Sequence, residues 1–257
     1  MLQNERQEKI LEILKANHSV KVTQLAQELE SSESTIRRDI TELDSMGKLK
    51  KVFGGAIALH SEITVGKSDV AERNLISFEE KDDIAQYAAK IIEDGDFVFI
   101  DAGTTTIKMI QYLEDRDVTF VTNGISHAKK LVEKGFDVYM VGGLLRHTTE
   151  AVTGEGAIQS IRQYNFTKCF VGANGVDLER GLTTPDISEA AIKGAVMKQS
   201  HITYILADHT KFGKISSVTF GKLDEAVIIT DELKLPQYRE KTVIEEVKKV
   251  IVKSYRV

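Results

Sequence analysis

From residue 97 onward the chain repeats one pattern: a short unbroken apolar run, a polar or glycine-rich loop, then residues at helical spacing. Strands are predicted at 97–101, 118–122, 138–141, 169–173, 203–207, 226–230 and 249–253. Continuous rather than alternating apolar runs suit parallel strands covered on both faces by helices. Residues 76–257 are therefore expected to form an α/β domain. In open parallel sheets a ligand sits beyond the carboxyl ends of the strands. Here those ends read Asp101-Ala102-Gly103-Thr104-Thr105-Thr106, Thr122-Asn123-Gly124, Gly142-Gly143, Gly172-Ala173-Asn174-Gly175, Asp208-His209-Thr210-Lys211 and Thr230-Asp231. Small and polar residues dominate them, so the rim is suited to a polar ligand.

Gly103-Thr104-Thr105-Thr106 follows a buried strand and is expected to open a helix carrying Ile107, Ile110 and Leu113. That arrangement aims backbone N–H groups and three hydroxyls at one point, where a phosphate fits. The plain alternative is a helix capped by Thr104 with nothing bound. A P-loop lysine and a G-x-G-x-x-G pattern are both missing, which removes two nucleotide readings. A sugar phosphate fits better, with one anion for the amides and several hydroxyls for Asp, Asn and backbone groups. Lys211 and Arg146 are candidate cations for that anion, and Glu155 a candidate acceptor of sugar hydroxyls; each alone also reads as an ordinary solvated charge. Lys211 could instead pair with Asp208. His209 has no partner at metal-ligand spacing, and no metal or cofactor is expected. The single cysteine, Cys169, lies in an apolar run and reads as a buried thiol.

Ahead of this region lie three short predicted helices. Residues 5–16 place Ile10, Ile13 and Leu14 on one face; Thr23 opens a second helix with Leu25, Ala26 and Leu29 inward. In the third, Ser32 is an N-cap and Ile36, Ile40 and Leu43 form a stripe at i, i+4, i+7. Ser34, Thr35, Arg37 and Arg38 crowd its first two turns away from that stripe. Such a surface suits a major groove, where arginine matches guanine edges and phosphates, though a solvated surface helix shows the same pattern. Residues 48–59 then read as two β-prone segments around Gly54-Gly55, a wing. Lys50 and Lys51 would lie along the phosphate backbone. A net charge of −5 argues against a globally cationic DNA binder. Its distribution is more informative: residues 1–60 carry nine basic and nine acidic residues, and residues 45–59 carry three lysines and no acid.

Residues 60–75 show no periodicity and read as a linker. Ser77-Phe78-Glu79-Glu80 reads as a capping box for a helix to about residue 93, with Ile84, Ala88 and Ile91 inward and Gly95 closing it.

Thr35-Ile36-Arg37-Arg38-Asp39, Leu43, Gly47, Leu49 and Gly54-Gly55-Ala56 together resemble the N-terminal signature of DeoR-type bacterial transcription regulators, which usually carry His where this chain has Phe53. Asp101 to Thr106, Thr122-Asn123-Gly124, Gly142-Gly143, Gly181-Leu182-Thr183-Thr184 and Ala207-Asp208-His209-Thr210-Lys211-Phe212 resemble that family's C-terminal sensor. The resemblance implies a winged helix-turn-helix over 1–59, a linker over 60–75 and a Rossmann-like sensor over 76–257, similar in fold to ribose-5-phosphate isomerase. It also implies a repressor of operator DNA answering to a phosphorylated sugar. Gln163-Tyr164-Asn165-Phe166-Thr167-Lys168-Cys169-Phe170 and Thr183-Thr184-Pro185-Asp186 look most like the fructose-operon repressor branch, which makes fructose 1-phosphate the expected effector. A homodimer or homotetramer is expected, since one helix-turn-helix reads only a half-site. No apolar run is long enough to cross a bilayer and no apolar signal core opens the chain, so a cytoplasmic location is expected. The rival reading is a sugar-phosphate isomerase or deaminase, for which Asp101, Glu155, Asp208 and Lys211 supply acid-base types. Against it stands the N-terminal module, which a metabolic enzyme does not need.

Overall fold

The computed structural model describes residues 2–17, 19–58, 63–64 and 77–247. It divides into two compact units, Met1–Glu62 and Ile63–Val257.

In the first unit α1 (Gln3–Asn17), β1 (Ser19–Lys21), α2 (Val22–Glu28) and α3 (Glu33–Ser45) precede a hairpin of β2 (Lys50–Val52) and β3 (Gly55–Ile57). β3 lies between β1 and β2, antiparallel to both. The stripes predicted for the helices meet in one core: Ile10, Leu14, Leu25, Leu29, Ile36, Ile40 and Leu43 are all buried. The Ser32 hydroxyl accepts from the Thr35 N–H at 3.2 Å and so caps α3. Gly47, at φ +65°, takes the left-handed turn that ends the helix region. Asp39, on α3, points inward and accepts from the Arg6 Nε at 2.5 Å and Nη2 at 3.3 Å. This paired contact ties α1 to α3.

The second unit is built on α4 (Phe78–Lys90), β4 (Phe97–Ile100), α5 (Thr106–Met109), β5 (Thr119–Thr122), α6 (Ile125–Glu133), β6 (Val138–Met140), α7 (Glu155–Ile161), β7 (Phe166–Gly172), α8 (Ile187–Lys198), β8 (Ser200–Leu206), β9 (Val227–Thr230) and β10 (Val243–Glu246). The seven strands form one parallel sheet in the order β10-β9-β8-β7-β4-β5-β6. Side chains alternate between faces with period two. Phe99, Val121, Cys169, Val171, Ile205 and Ile228 pack on one side with Ala157 and Ile161 of α7 and Ile192 and Val196 of α8. Val98, Ile100, Phe120, Phe170, Leu206 and Ile229 pack on the other with Ile84 and Ala88 of α4, Ile110 and Leu131. Both faces are thus covered, and each fully buried Phe or Ile contributes about 1.5–3 kcal/mol of hydrophobic stabilisation. β4 and β7 are neighbours although the chain first runs from β4 outward to β6, so the strand order reverses between them.

Two local expectations are corrected. Ser77 sits in the left-handed region at φ 53° and its side chain caps nothing, so the predicted capping box does not form, and α4 ends at Lys90. The helix expected after Gly103 is a single turn, Thr106–Met109, followed by a 3-10 turn, Ile110–Tyr112. The predicted strand at 249–253 lies outside the described residues, and the seventh strand is Val243–Glu246. Ile63–Thr64, inside the predicted linker, pairs in parallel with Ile215–Ser216 of the second unit. Two residues are too few to leave a periodic signal.

Candidate functional site

The reversal between β4 and β7 opens a cleft at the carboxyl edge of the sheet. Its enclosed volume is about 100 Å3, and it opens to solvent at its mouth. The loop after β4 supplies Asp101, Gly103, Thr104 and Thr105. From the ends of β5 and β7 come Asn123 and Asn174, and from beyond β8 come Asp208 and Lys211. All eight are sequence-predicted site residues gathered from four strand ends.

Each is held by its neighbours. The Asn123 Oδ1 accepts from the Ala102 N–H at 2.9 Å, which fixes the loop against β5. Thr106 is fully buried beneath the loop; its hydroxyl lies 2.5 Å from the Asp101 carbonyl and accepts from the Gly103 N–H at 2.9 Å. Among the described residues no hydrogen-bond partner is found for the N–H groups of Thr104 and Thr105. With only one helical turn behind them, any anion contact rests on these amides themselves rather than on a long helix dipole. The Asn174 Oδ1 accepts from the Thr184 hydroxyl at 3.0 Å. Asp208 is buried and accepts from the Thr210 N–H at 3.0 Å, while Lys211 reaches its carboxylate at 3.8 Å and stays partly open to solvent.

Lys193, Lys81 and Glu189 also line the cleft, and the sequence reading missed all three. Lys193 Nζ donates to Asp101 Oδ2 and, at 2.9 Å, to the Gly172 carbonyl; Gly172 N–H donates to the same Asp101 oxygen at 3.2 Å. Asp101 is thereby committed to a buried ion pair linking β4, β7 and α8. A signal for both lysines was present. Lys81 lies at i−3 to Ile84, and Lys193 lies at i+3 to Ala190 and i−3 to Val196, so each is a charge on the apolar stripe of its helix.

The other predicted residues lie outside the cleft lining. Thr122 is buried and donates to the Ile100 carbonyl at 2.7 Å, pinning β5 to β4. At Gly124 a Cβ would stand 2.5 Å from the His127 Nδ1, and at Gly143 a Cβ would stand 2.5 Å from the Thr153 carbonyl; both glycines permit close packing. Gly142 precedes that contact. Arg146 pairs with Asp186 at 2.9 Å, and Asp186 caps α8 by accepting from Ser188 and Glu189 N–H. Glu155 opens α7 and accepts from Gln159 at 2.6 Å. His209 has a partner from another strand end, Asp231, with Nδ1 to Oδ2 at 2.6 Å. Among the described residues no cluster of three or more His, Cys, Asp or Glu could hold a metal ion.

His127 buttresses the loop from below, its Nε2 3.1 Å from the Thr106 hydroxyl and 3.2 Å from the Gly103 carbonyl. Burial pushes its pKa down to about 4; Asp101 and the Gly103 carbonyl partly oppose this, and Lys130 adds to it. The unfolded chain therefore takes up this proton near pH 6.5 and the native unit only near 4. Stability is lost as pH falls from 6.5 toward 4, by about 2–4 kcal/mol for this group. His127→Gln is expected to remove that part of the decline, measured as the difference between wild-type and variant urea midpoints at pH 7.5 and 4.5. Equal declines in both proteins would refute the assignment.

On α3 of the first unit, Ser34, Arg37 and Arg38 are exposed and Thr35 is half-buried. Ser32 is occupied as the cap. Arg37 is paired with Glu33 at 2.7 Å, whereas no partner is found for Arg38 among the described residues. Lys50 and Lys51 are exposed on the wing. The wing is fastened to α3: Lys51 N–H donates to Asp44 Oδ1 at 2.8 Å and its Nζ to the Thr41 hydroxyl at 2.9 Å.

A winged helix-turn-helix and a parallel α/β unit with a polar cleft at its switch point define a DNA-binding regulator that carries a sensor domain. The chain belongs to the DeoR family of transcriptional regulators: residues 6–62 match the DeoR-like helix-turn-helix domain and residues 76–232 the DeoR C terminal sensor domain. It is 41% identical to the uncharacterized HTH-type transcriptional regulator FruR of Bacillus subtilis over 96% of this chain and 100% of that one. With the lactose phosphotransferase system repressor of Staphylococcus aureus it shares 31% identity over 98% of each chain. A D-ribose-5-phosphate isomerase structure in complex with phospho-erythronic acid aligns with 52% of this chain and 54% of its own at a TM-score of 0.40 and 18% identity. Among the described residues no helix is long and apolar enough to cross a membrane.

Proposed function

We propose that this protein is a cytoplasmic repressor of a sugar-utilisation operon, with residues 1–59 gripping operator DNA, 60–75 as a linker and 76–257 sensing fructose 1-phosphate. The observation that carries the reading is the cleft at the switch point, lined by Thr104 and Thr105, whose amides have no partner among the described residues, together with Lys211, Asn123, Asn174 and Asp208. The amides and Lys211 suit a phosphate, and the carboxylate and carboxamides suit sugar hydroxyls. A relative named as a lactose phosphotransferase system repressor supports a sugar-linked role. Control follows if the effector binds one arrangement of the paired DNA-binding units more tightly than another. Two half-sites require at least a homodimer, or a homotetramer.

Thermal stabilisation against phosphorylated hexoses, phosphorylated pentoses and glycerol 3-phosphate tests this. Fructose 1-phosphate at a hundredfold over its dissociation constant is expected to add about 2.7 kcal/mol. Lys211→Ala is expected to weaken that binding at least tenfold and to leave operator binding intact, giving a repressor deaf to sugar. Stabilisation by another member of the panel alone would replace the effector; stabilisation by none would end the sensing account.

A further inference from the structure

Phe53 is the only aromatic residue in the first 62 positions, yet it takes no part in the core of its unit. It occupies the turn of the wing with its side chain fully exposed, at 108% of the reference area. Val52 beside it is 39% exposed. Gly54 follows at φ +78° and closes the hairpin.

The ring is displayed from a rigid mount. Val22 N–H, at the start of α2, donates to the Gly54 carbonyl at 2.9 Å. At Gly55 a Cβ would lie 2.2 Å from the Val20 carbonyl, so β3 is seated closely on β1. The two contacts from Lys51 to Asp44 and Thr41 fasten the other strand to α3. Lys48 and Lys50 are exposed nearby, and no acidic residue occurs between positions 45 and 59. An apolar ring fixed among cations complements a polyanion that also offers apolar surface. Duplex DNA offers it in the minor groove, at the sugar faces and between base steps.

Resting on the reading of α3 as the helix that enters the major groove, we propose that Phe53 is a wedge. It enters the adjacent minor groove of the operator and partly unstacks one base step. The lysines around it hold the flanking phosphates. Pyrimidine–purine steps unstack most easily, so the ring adds sequence preference through deformability at a position where no hydrogen bond reads a base.

The test uses the full chain and a DNA fragment from upstream of its own operon, with 2-aminopurine placed step by step across the site. Phe53→Ala should lower operator affinity about tenfold and abolish the fluorescence rise at one step. The slope of affinity against salt should stay unchanged, because no phosphate contact is lost. Lys50→Ala should instead make that slope shallower. Phe53→Trp should retain the fluorescence signal. Exposure of the ring leaves the core unaffected, and an unchanged urea midpoint verifies this. Phe53→Ala binding as tightly as wild type, with the same fluorescence profile, overturns the wedge while leaving the DNA-binding reading intact. Wild-type protein that binds no fragment overturns that reading and the wedge with it. Loss of self-association in Phe53→Ala with unchanged DNA affinity assigns the ring to a protein contact and also overturns the proposal.

Discussion

Lys193→Met is expected to destabilise the second unit by about 3–5 kcal/mol, because it strands the Asp101 carboxylate in a buried site. The two side chains are only 7% and 6% exposed, so water cannot replace the missing ammonium. Asp101→Asn alone should be damaging for the converse reason. The double variant Asp101→Asn/Lys193→Met removes both charges and should recover much of the loss, the coupling appearing as non-additivity in urea midpoints. Recovery of stability should not bring back the ligand response, since both groups line the cleft. A single variant as stable as wild type would show that the pair is not the clamp between β4, β7 and α8.

Arg38→Ala is expected to have the largest effect on DNA. A bidentate arginine contributes about 1–3 kcal/mol of discrimination per contact, and the proposed dimer would use two half-sites, so a hundredfold loss of operator affinity or more is expected by gel shift. Thermal stabilisation by the effector should be unchanged. Arg37→Ala provides the internal comparison. Arg37 is already held by Glu33 at 2.7 Å, a surface pair worth little by itself, and its removal should cost less. An Arg37 effect exceeding that of Arg38, or an Arg38 variant with wild-type affinity, would place the wrong side chain against the bases.

The two sites were legible in the sequence to different degrees. On α3 the helix, cap, stripe and exposed face are legible, because all lie within Ser32–Ser45 and follow from a single period. The cleft was legible at its strand ends, where a polar residue after a buried apolar run marks the rim, and Asp101, Thr104, Thr105, Asn123, Asn174, Asp208 and Lys211 do line it. Being at a strand end was insufficient for Thr122 and Arg146. A hydroxyl that donates to the neighbouring strand, or a guanidinium that pairs with a capping aspartate, has the same local sequence as one facing a ligand. Ser77 failed for a different reason: a capping box needs an extended N-cap residue, and the chain enters α4 with Ser77 in the left-handed region.

The division into a three-helix module with a wing and an α/β unit follows from residue order alone, since apolar periodicity and unbroken apolar runs are local properties that fix which surfaces must be buried. The same order sets which loops face the carboxyl edge of the sheet. Which members of those loops share one space depends on how the strands and helices pack in three dimensions. The partnership of Asp101 with Lys193, 92 positions away in the chain, depends on β4 and β7 becoming neighbours and on α8 packing across them. Pairing at that separation is set by the order of strands in the sheet, and strand order leaves no trace in the spacing of residues along the chain.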